Sequence, residues 1–169
     1  SSMGIADIVI TKQFKQPYIS TVQIISPAGP YVIYTNNIID DSAGNNNQEI
    51  DYGEFISMDI VFQNVGLLDA TLVNISITSS DTNITLINSS DVINLIPTQQ
   101  TTSINTPFTF QVSDNVTDQH IVNFYLTMSD NQGNIWNSSI NVLINSPVLS
   151  HNSFVIDDSL GNGNGKLDP

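Results

Sequence analysis

The chain has 169 residues, 40% of them apolar, enough for one packed domain together with pieces of its neighbours. Three Lys plus Arg stand against 16 Asp plus Glu, a formal net charge of −13 that argues against nucleic acid or an anionic membrane as partner and favours cations as ligands. There is no cysteine, so no disulfide, thiolate zinc ligand or cysteine nucleophile, and no apolar run is long enough for a membrane-spanning helix.

Only 11% of residues are charged, so Asn, Ser, Thr and Gln must cover the surface, a composition that fits a secreted or cell-surface protein. The Ser1-Ser2-Met3-Gly4 start reads as an expression scar, with any native signal peptide expected to be gone.

In chain order, IADIVIT and YISTVQII, both within residues 1–30, predict a hairpin. Ile56, Met58, Ile60 and Phe62 then alternate with polar or outward neighbours, as do Val73, Ile75 and Ile77. The same period of two runs through Phe108, Phe110 and Val112, through Val122, Phe124, Leu126 and Met128, and through Trp136, Ile140, Val142 and Ile144. Apolar-in, polar-out alternation is the mark of strands with one wet face. Turn residues fall between the runs, at Asn64-Val65-Gly66, Ser79-Ser80-Asp81, Asn105-Thr106-Pro107 and Asp130-Asn131-Gln132-Gly133. The expectation is an all-β chain, an antiparallel immunoglobulin-like β-sandwich with strands from neighbouring modules at each end.

A repeat sets the proposed boundaries. IDDSAGNNNQEIDY at residues 39–52 aligns without a gap to IDDSLGNGNGKLDP at residues 156–169, an offset of 117 residues. Upstream, IISP at residues 24–27 echoes INSP at residues 144–147. A period of that size is one immunoglobulin-sized module. Residues 1–30 then read as the terminal hairpin of a preceding module, 31–147 as one whole module, and 148–169 as the first strand and truncated loop of the next.

The first copy of the loop holds carboxylates and amides with no cation among them. Three readings compete: a solvated acidic turn, a catalytic carboxylate pair, or a cage for a hard cation. Calcium takes oxygen ligands at alternate residues of a tight loop. Counting from Ala43, Asn45, Asn47, Asp51 and Glu54 fall at positions 3, 5, 9 and 12 of an EF-hand-like loop, with Glu49 at position 7, where a backbone carbonyl usually serves. Ala43 cannot ligate through its side chain, so Asp40 or Asp41 would reach in from upstream. The second copy supplies Asp157, Asp158, Asn162, Asn164 and Asp168, and has Gly165 at position 6 where the first has Gln48. Recurrence at module spacing favours metal over a plain turn. A catalytic pair needs a cleft and polar partners, and magnesium prefers fewer protein ligands than this loop offers.

The loop, followed by a strand and the Asn64-x-Gly66 turn, resembles the immunoglobulin-like accessory repeats of secreted gingipain-like cysteine peptidases and related Bacteroidetes surface proteins. ITKQFKQPYISTVQIISPAGPYVIY at residues 10–34 is similar to the end of the domain that precedes such repeats. That resemblance implies a non-catalytic accessory module, calcium-bound in at least some relatives. The family's catalytic Cys-His pair has no counterpart in a chain without Cys.

His120 and His151 are the only histidines, one at a strand start and one in a loop, which speaks against zinc. Trp136 shares the parity of Ile140 and is expected in the core, whereas Tyr125 has outward parity and is the one candidate for surface recognition. The leading expectation is a calcium-stabilised extracellular spacer or accessory module of a secreted or surface peptidase-type protein. A glycan- or protein-binding adhesion module is the alternative. The expected partners are adjacent modules of the same polypeptide, with a strand-exchanged homodimer, a glycan or a host protein as further possibilities.

Overall fold

The period-two segments become strands. In the computed structural model, which describes residues 4–24 and 27–166, twelve strands and no helix are formed among the described residues. β1 (Gly4–Ile10) and β2 (Tyr18–Ile24) pair antiparallel as a separate two-stranded sheet, with Gly4 opposite Ile24 and Ile10 opposite Tyr18.

The remaining strands build two sheets. Sheet I holds β3 (Val32–Asp40), β5 (Phe55–Asn64), β10 (Phe108–Val112) and β7 (Ile84–Asn88) in that order, with β9 (Thr101–Ser103) also on β5. Sheet II holds β4 (Ile50–Asp51), β12 (Ile135–Asn145), β11 (His120–Ser129), β6 (Ala70–Thr78) and β8 (Ser90–Ile96). All pairings are antiparallel except the short parallel contact of β4 with the end of β12, where Ile50 lies opposite Ile144 and Asp51 opposite Asn145.

The sheets pack face to face as a β-sandwich. Ile56, Met58, Ile60, Phe62, Phe108 and Phe110 of sheet I and Val73, Ile75, Ile77, Phe124, Leu126 and Met128 of sheet II belong to one buried cluster. Phe110 and Phe124 bridge the layers with ring centroids 5.1 Å apart at 48°, a tilted contact worth about 0.5–1.5 kcal/mol beyond its buried area. Trp136 is buried at the margin of the same core, and Tyr125 is exposed.

Buried polar groups pin the ends of the sandwich. Asn64 is fully buried and accepts N–H bonds from Tyr31 and Gly66 while donating to the carbonyls of Leu68 and Ile96. Asp130 closes the β11–β12 turn by accepting the N–H groups of Gln132 and Asn134.

The strand expected over residues 148–156 is not formed, and residues 146–158 run as irregular chain. The corresponding first-copy segment is β3, whose ladder is supplied by β5. No strand lies alongside 148–156 among the described residues, and extended backbone without a ladder partner has nothing to fix it.

Candidate metal loop at the exit of the sandwich

The loop begins where β3 ends. The Asp41 carbonyl accepts the N–H of Gly44 at 2.7 Å, folding the chain back at once. Asp41 itself is 1% exposed, and its Oδ2 accepts the N–H of Gln48 at 3.0 Å. Asn45 and Asn47 each fold their side-chain oxygen onto the N–H two residues ahead, at 3.0 and 2.8 Å. Such Asx turns suit residues whose short side chains mimic the backbone. Ile50 then buries its side chain in the core and fixes β4 against β12.

Glu54 closes the loop from the far side. It is 8% exposed, and its two oxygens accept the N–H groups of Asn45 and Asp51, each at 3.0 Å. Its carboxylate lies directly against the Cα of Gly44, so that a Cβ there would sit 2.2 Å from Glu54 Oε1. Asp51 Oδ2 takes the Nδ2 groups of Asn45 and Asn47 at 2.6 and 2.9 Å. Gly53 turns the chain with φ +73°, and a side chain at that position would meet Asp114.

The structure therefore joins Asn45, Asn47, Asp51 and Glu54 in one hydrogen-bonded unit, with Asp41 bonded beside it to Gly44 and Gln48. It does not bring in Asp40 or Glu49. Asp40 is exposed and caps Ser42; hydrogen bonds from Ser42 hold its carboxyl below the usual value. Glu49 turns outward to accept Asn145 Nδ2 at 3.0 Å. Among the described residues no three His, Cys, Asp or Glu side chains are gathered so as to hold a metal ion by themselves. The one ion pair among the described residues lies elsewhere, between His120 and Asp81.

Over its described residues the second copy repeats the aspartate bonds and the Asx turns of the first. Asp157 caps Ser159 as Asp40 caps Ser42, and its carboxyl is lowered by the same cause. The Asp158 carbonyl accepts Gly161 N–H, and Asp158 Oδ2 accepts Gly165 N–H at 2.9 Å, as Asp41 does for Gly44 and Gln48. Asn162 and Asn164 make the same Asx turns onto Asn164 and Lys166. Asp168 lies outside the described residues.

Position within the fold gives the loop its meaning. The Asn145 carbonyl accepts Tyr52 N–H at 3.0 Å, so β4 and the turn after it clasp the last residues of β12. A hollow beside the loop is lined by Gly44, Asp51 and Glu54 on one side and by Asn145, Ser146 and Pro147 on the other. The loop thus grips the point at which the chain leaves the sandwich. Sequence reasoning missed Gly44 and Asn145. The retained glycine in both copies was a signal for the first, whereas nothing local marks the second. No protein-family model matches this sequence, and no curated protein matches it significantly.

Proposed function

We propose that the chain is a non-catalytic, calcium-stabilised extracellular spacer or accessory unit, built from immunoglobulin-like modules in series. The observation that carries this reading is the loop itself, formed twice at a spacing of 117 residues with the same hydrogen bonds and the same left-handed positions. Identical turns with unrelated purposes have no need to keep Asp at positions 40, 41 and 51 and Asn at 45 and 47 in both copies.

The donor set fits a hard cation. Asp41, Asp51 and Glu54 supply carboxylates, and Asn45 and Asn47 supply amide oxygens once their amides rotate away from Asp51. Gly44 leaves the space that the Glu54 carboxylate requires. The first loop carries no Lys or Arg, and a divalent ion would supply the positive charge its carboxylates lack. Backbone N–H groups position the carboxylates of Asp41 and Glu54, and the asparagine amides position that of Asp51. Because the loop clasps the end of β12, a bound ion would stiffen the exit toward a following unit. The hairpin β1–β2 and residues 148–166 read on this basis as parts of flanking modules, and the resemblance to gingipain-associated repeats suggests a secreted or surface peptidase-type protein as the parent.

Isothermal titration with calcium chloride after chelator treatment tests the reading. Saturable binding that is lost in Glu54→Gln, with a much weaker response to magnesium, is expected. Absence of heat, together with the same melting curve in calcium and in chelator, would reduce the loop to an acidic turn.

A further inference from the structure

The outward face of sheet II is set apart by chemistry. On its three inner strands the outward residues are Leu72, Asn74, Ser76 and Thr78 on β6; Ile121, Asn123, Tyr125, Thr127 and Ser129 on β11; and Ile135, Asn137, Ser139, Asn141 and Leu143 on β12. None carries a charge, although the chain as a whole has a net charge of −13. The central rows are matched across strands. Asn123 lies opposite Asn141, Tyr125 opposite Ser139 and Thr78, and Thr127 opposite Asn137 and Ser76. Tyr125 stands in the middle of this field, 54% exposed.

Two open hollows flank it along the same strand. One is lined by Asn74, Ser76, Thr127 and Ser129 and, from the edge strand β8, by Asp91 and Val92. The other is formed where the chain crosses from sheet II to sheet I, and is lined by Asp81, Asn83, His120, Asn123 and Tyr125. The second is rigidly organised. Asp81 accepts His120 Nε2 at 2.6 Å and both the backbone and side-chain N–H groups of Asn83, at 2.9 and 3.0 Å. Ser79 ties the crossing loop to β11 through the Asn123 carbonyl at 3.0 Å. β6 stops pairing at Tyr125, so the His120 end of β11 is left open beside this loop. From His120 to Ser129 the strand spans about 30 Å.

We propose that this face binds a neutral glycan chain laid along β11, with the Tyr125 ring as stacking platform and the Asp81–Asn83–His120 hollow holding one end. The chemistry selects the ligand. Rows of amide and hydroxyl groups donate and accept hydrogen bonds without charge, as sugar hydroxyls require. A half-exposed aromatic ring offers a flat apolar surface to the C–H face of a pyranose. The face carries no Lys or Arg, which disfavours phosphate or sulfate groups, and its exposed apolar residues, Leu72, Val92, Ile121, Ile135 and Leu143, are spread around its margins, which leaves no continuous apolar patch for a protein partner to bury.

Nuclear magnetic resonance titration of the intact chain with a panel of neutral hexasaccharides (cellohexaose, xylohexaose, maltohexaose, mannohexaose and N-acetylchitohexaose) tests this. At least one should give saturable amide shifts confined to β11, its neighbours and the crossing loop at residues 79–83. Tyr125→Ala should weaken that binding about tenfold or more, with the melting temperature unchanged because the ring is exposed, and Tyr125→Phe should retain most of it. A panel in which no sugar shifts the outer face, or a Tyr125→Ala variant that binds as tightly as the parent, would overturn the proposal.

Discussion

Gln48 and Gly165 stand 117 positions apart and hold the same left-handed backbone, φ +69° and +71°, each donating its N–H to the inner aspartate of its loop, Asp41 or Asp158. Two positions earlier the pairing recurs, with Asn46 at φ +58° and Gly163 at +69°. The second copy meets the requirement for positive φ with glycine. The first meets it with side chains that must tolerate the strain.

Gln48→Gly should therefore stabilise the sandwich. Relief of the left-handed strain outweighs the added freedom of glycine in the unfolded chain by about 0.5–1 kcal/mol, a rise in Tm of about 1–4 °C for a chain of this size. Calorimetry showing a fall instead would mean that the Gln48 side chain contributes more than its backbone costs.

Two glutamates in the same loop separate the metal reading from general acidity. Calcium at a hundredfold excess over Kd should add about 3 kcal/mol to stability. Glu54→Gln should abolish that increment, whereas Glu49→Gln should keep it, because Glu49 points away to Asn145. Thermal melts in calcium and in chelator would show both. Equal losses in the two variants would indicate diffuse attraction of the ion by the acidic surface.

Asp81 gives a pH signature. Burial alone would raise its carboxyl, but hydrogen bonds from Asn83 and His120 and the charge of His120 bring it below the ordinary value of 3.8. A group lowered in the folded state stabilises the fold above its unfolded pKa and loses that contribution as pH falls through the folded one. Asp81→Asn should cost about 1–2 kcal/mol at pH 7, and the gap to the parent should close as pH falls below the 3.8 mark. Denaturant melts across that range would reveal a gap that persists in acid if the carboxylate charge is irrelevant.

Asn64 should be among the most sensitive positions. Removing its side chain strands four partners, Tyr31 N, Gly66 N and the carbonyls of Leu68 and Ile96. Asn64→Leu is expected to cost about 3 kcal/mol or more, and Gly66→Ala should fail similarly, because its Cβ would fall 2.3 Å from the Gly29 carbonyl oxygen. Tolerance of both in urea melts would mean that this end of the sandwich rearranges freely.

The strands that alternate strictly, β5, β6, β10, β11 and β12, were legible because one face of each enters the core. β3 was not, since a bulge between Tyr34 and Asn36 shifts the inward set from Val32 and Tyr34 to Ile39. β4 has two residues and exists only through its contact with β12, an event no local pattern encodes. In the loop, residue types and spacing marked Asn45, Asn47, Asp51 and Glu54, but left Asp40 and Asp41 indistinguishable, and only burial separates them. Gly44 answers to a glutamate ten positions on, and Asn145 reaches Glu49 across 96 residues, distances at which sequence carries no local trace.

The hairpin carries the remaining expectation. Ala6, Ile8 and Ile10 lie opposite Val22, Ser20 and Tyr18 on one face, and Ile8, Ile10, Tyr18 and Val22 are exposed. Neither strand pairs with a strand of the sandwich, so residues 4–24 add little to its stability. A lone hairpin is marginal in water, and exposed strand edges invite pairing with another chain. The nearest source of a complementary surface in a solution of this protein is a second copy, by strand exchange or hairpin on hairpin. Removing residues 1–24 should leave the Tm of the sandwich unchanged, and should abolish a concentration-dependent rise in mass seen by light scattering for the intact chain. If both forms stay monomeric at every concentration, the hairpin tolerates its exposure and is not seeking a partner. If truncation lowers the Tm, it packs on the sandwich in solution and belongs to that domain.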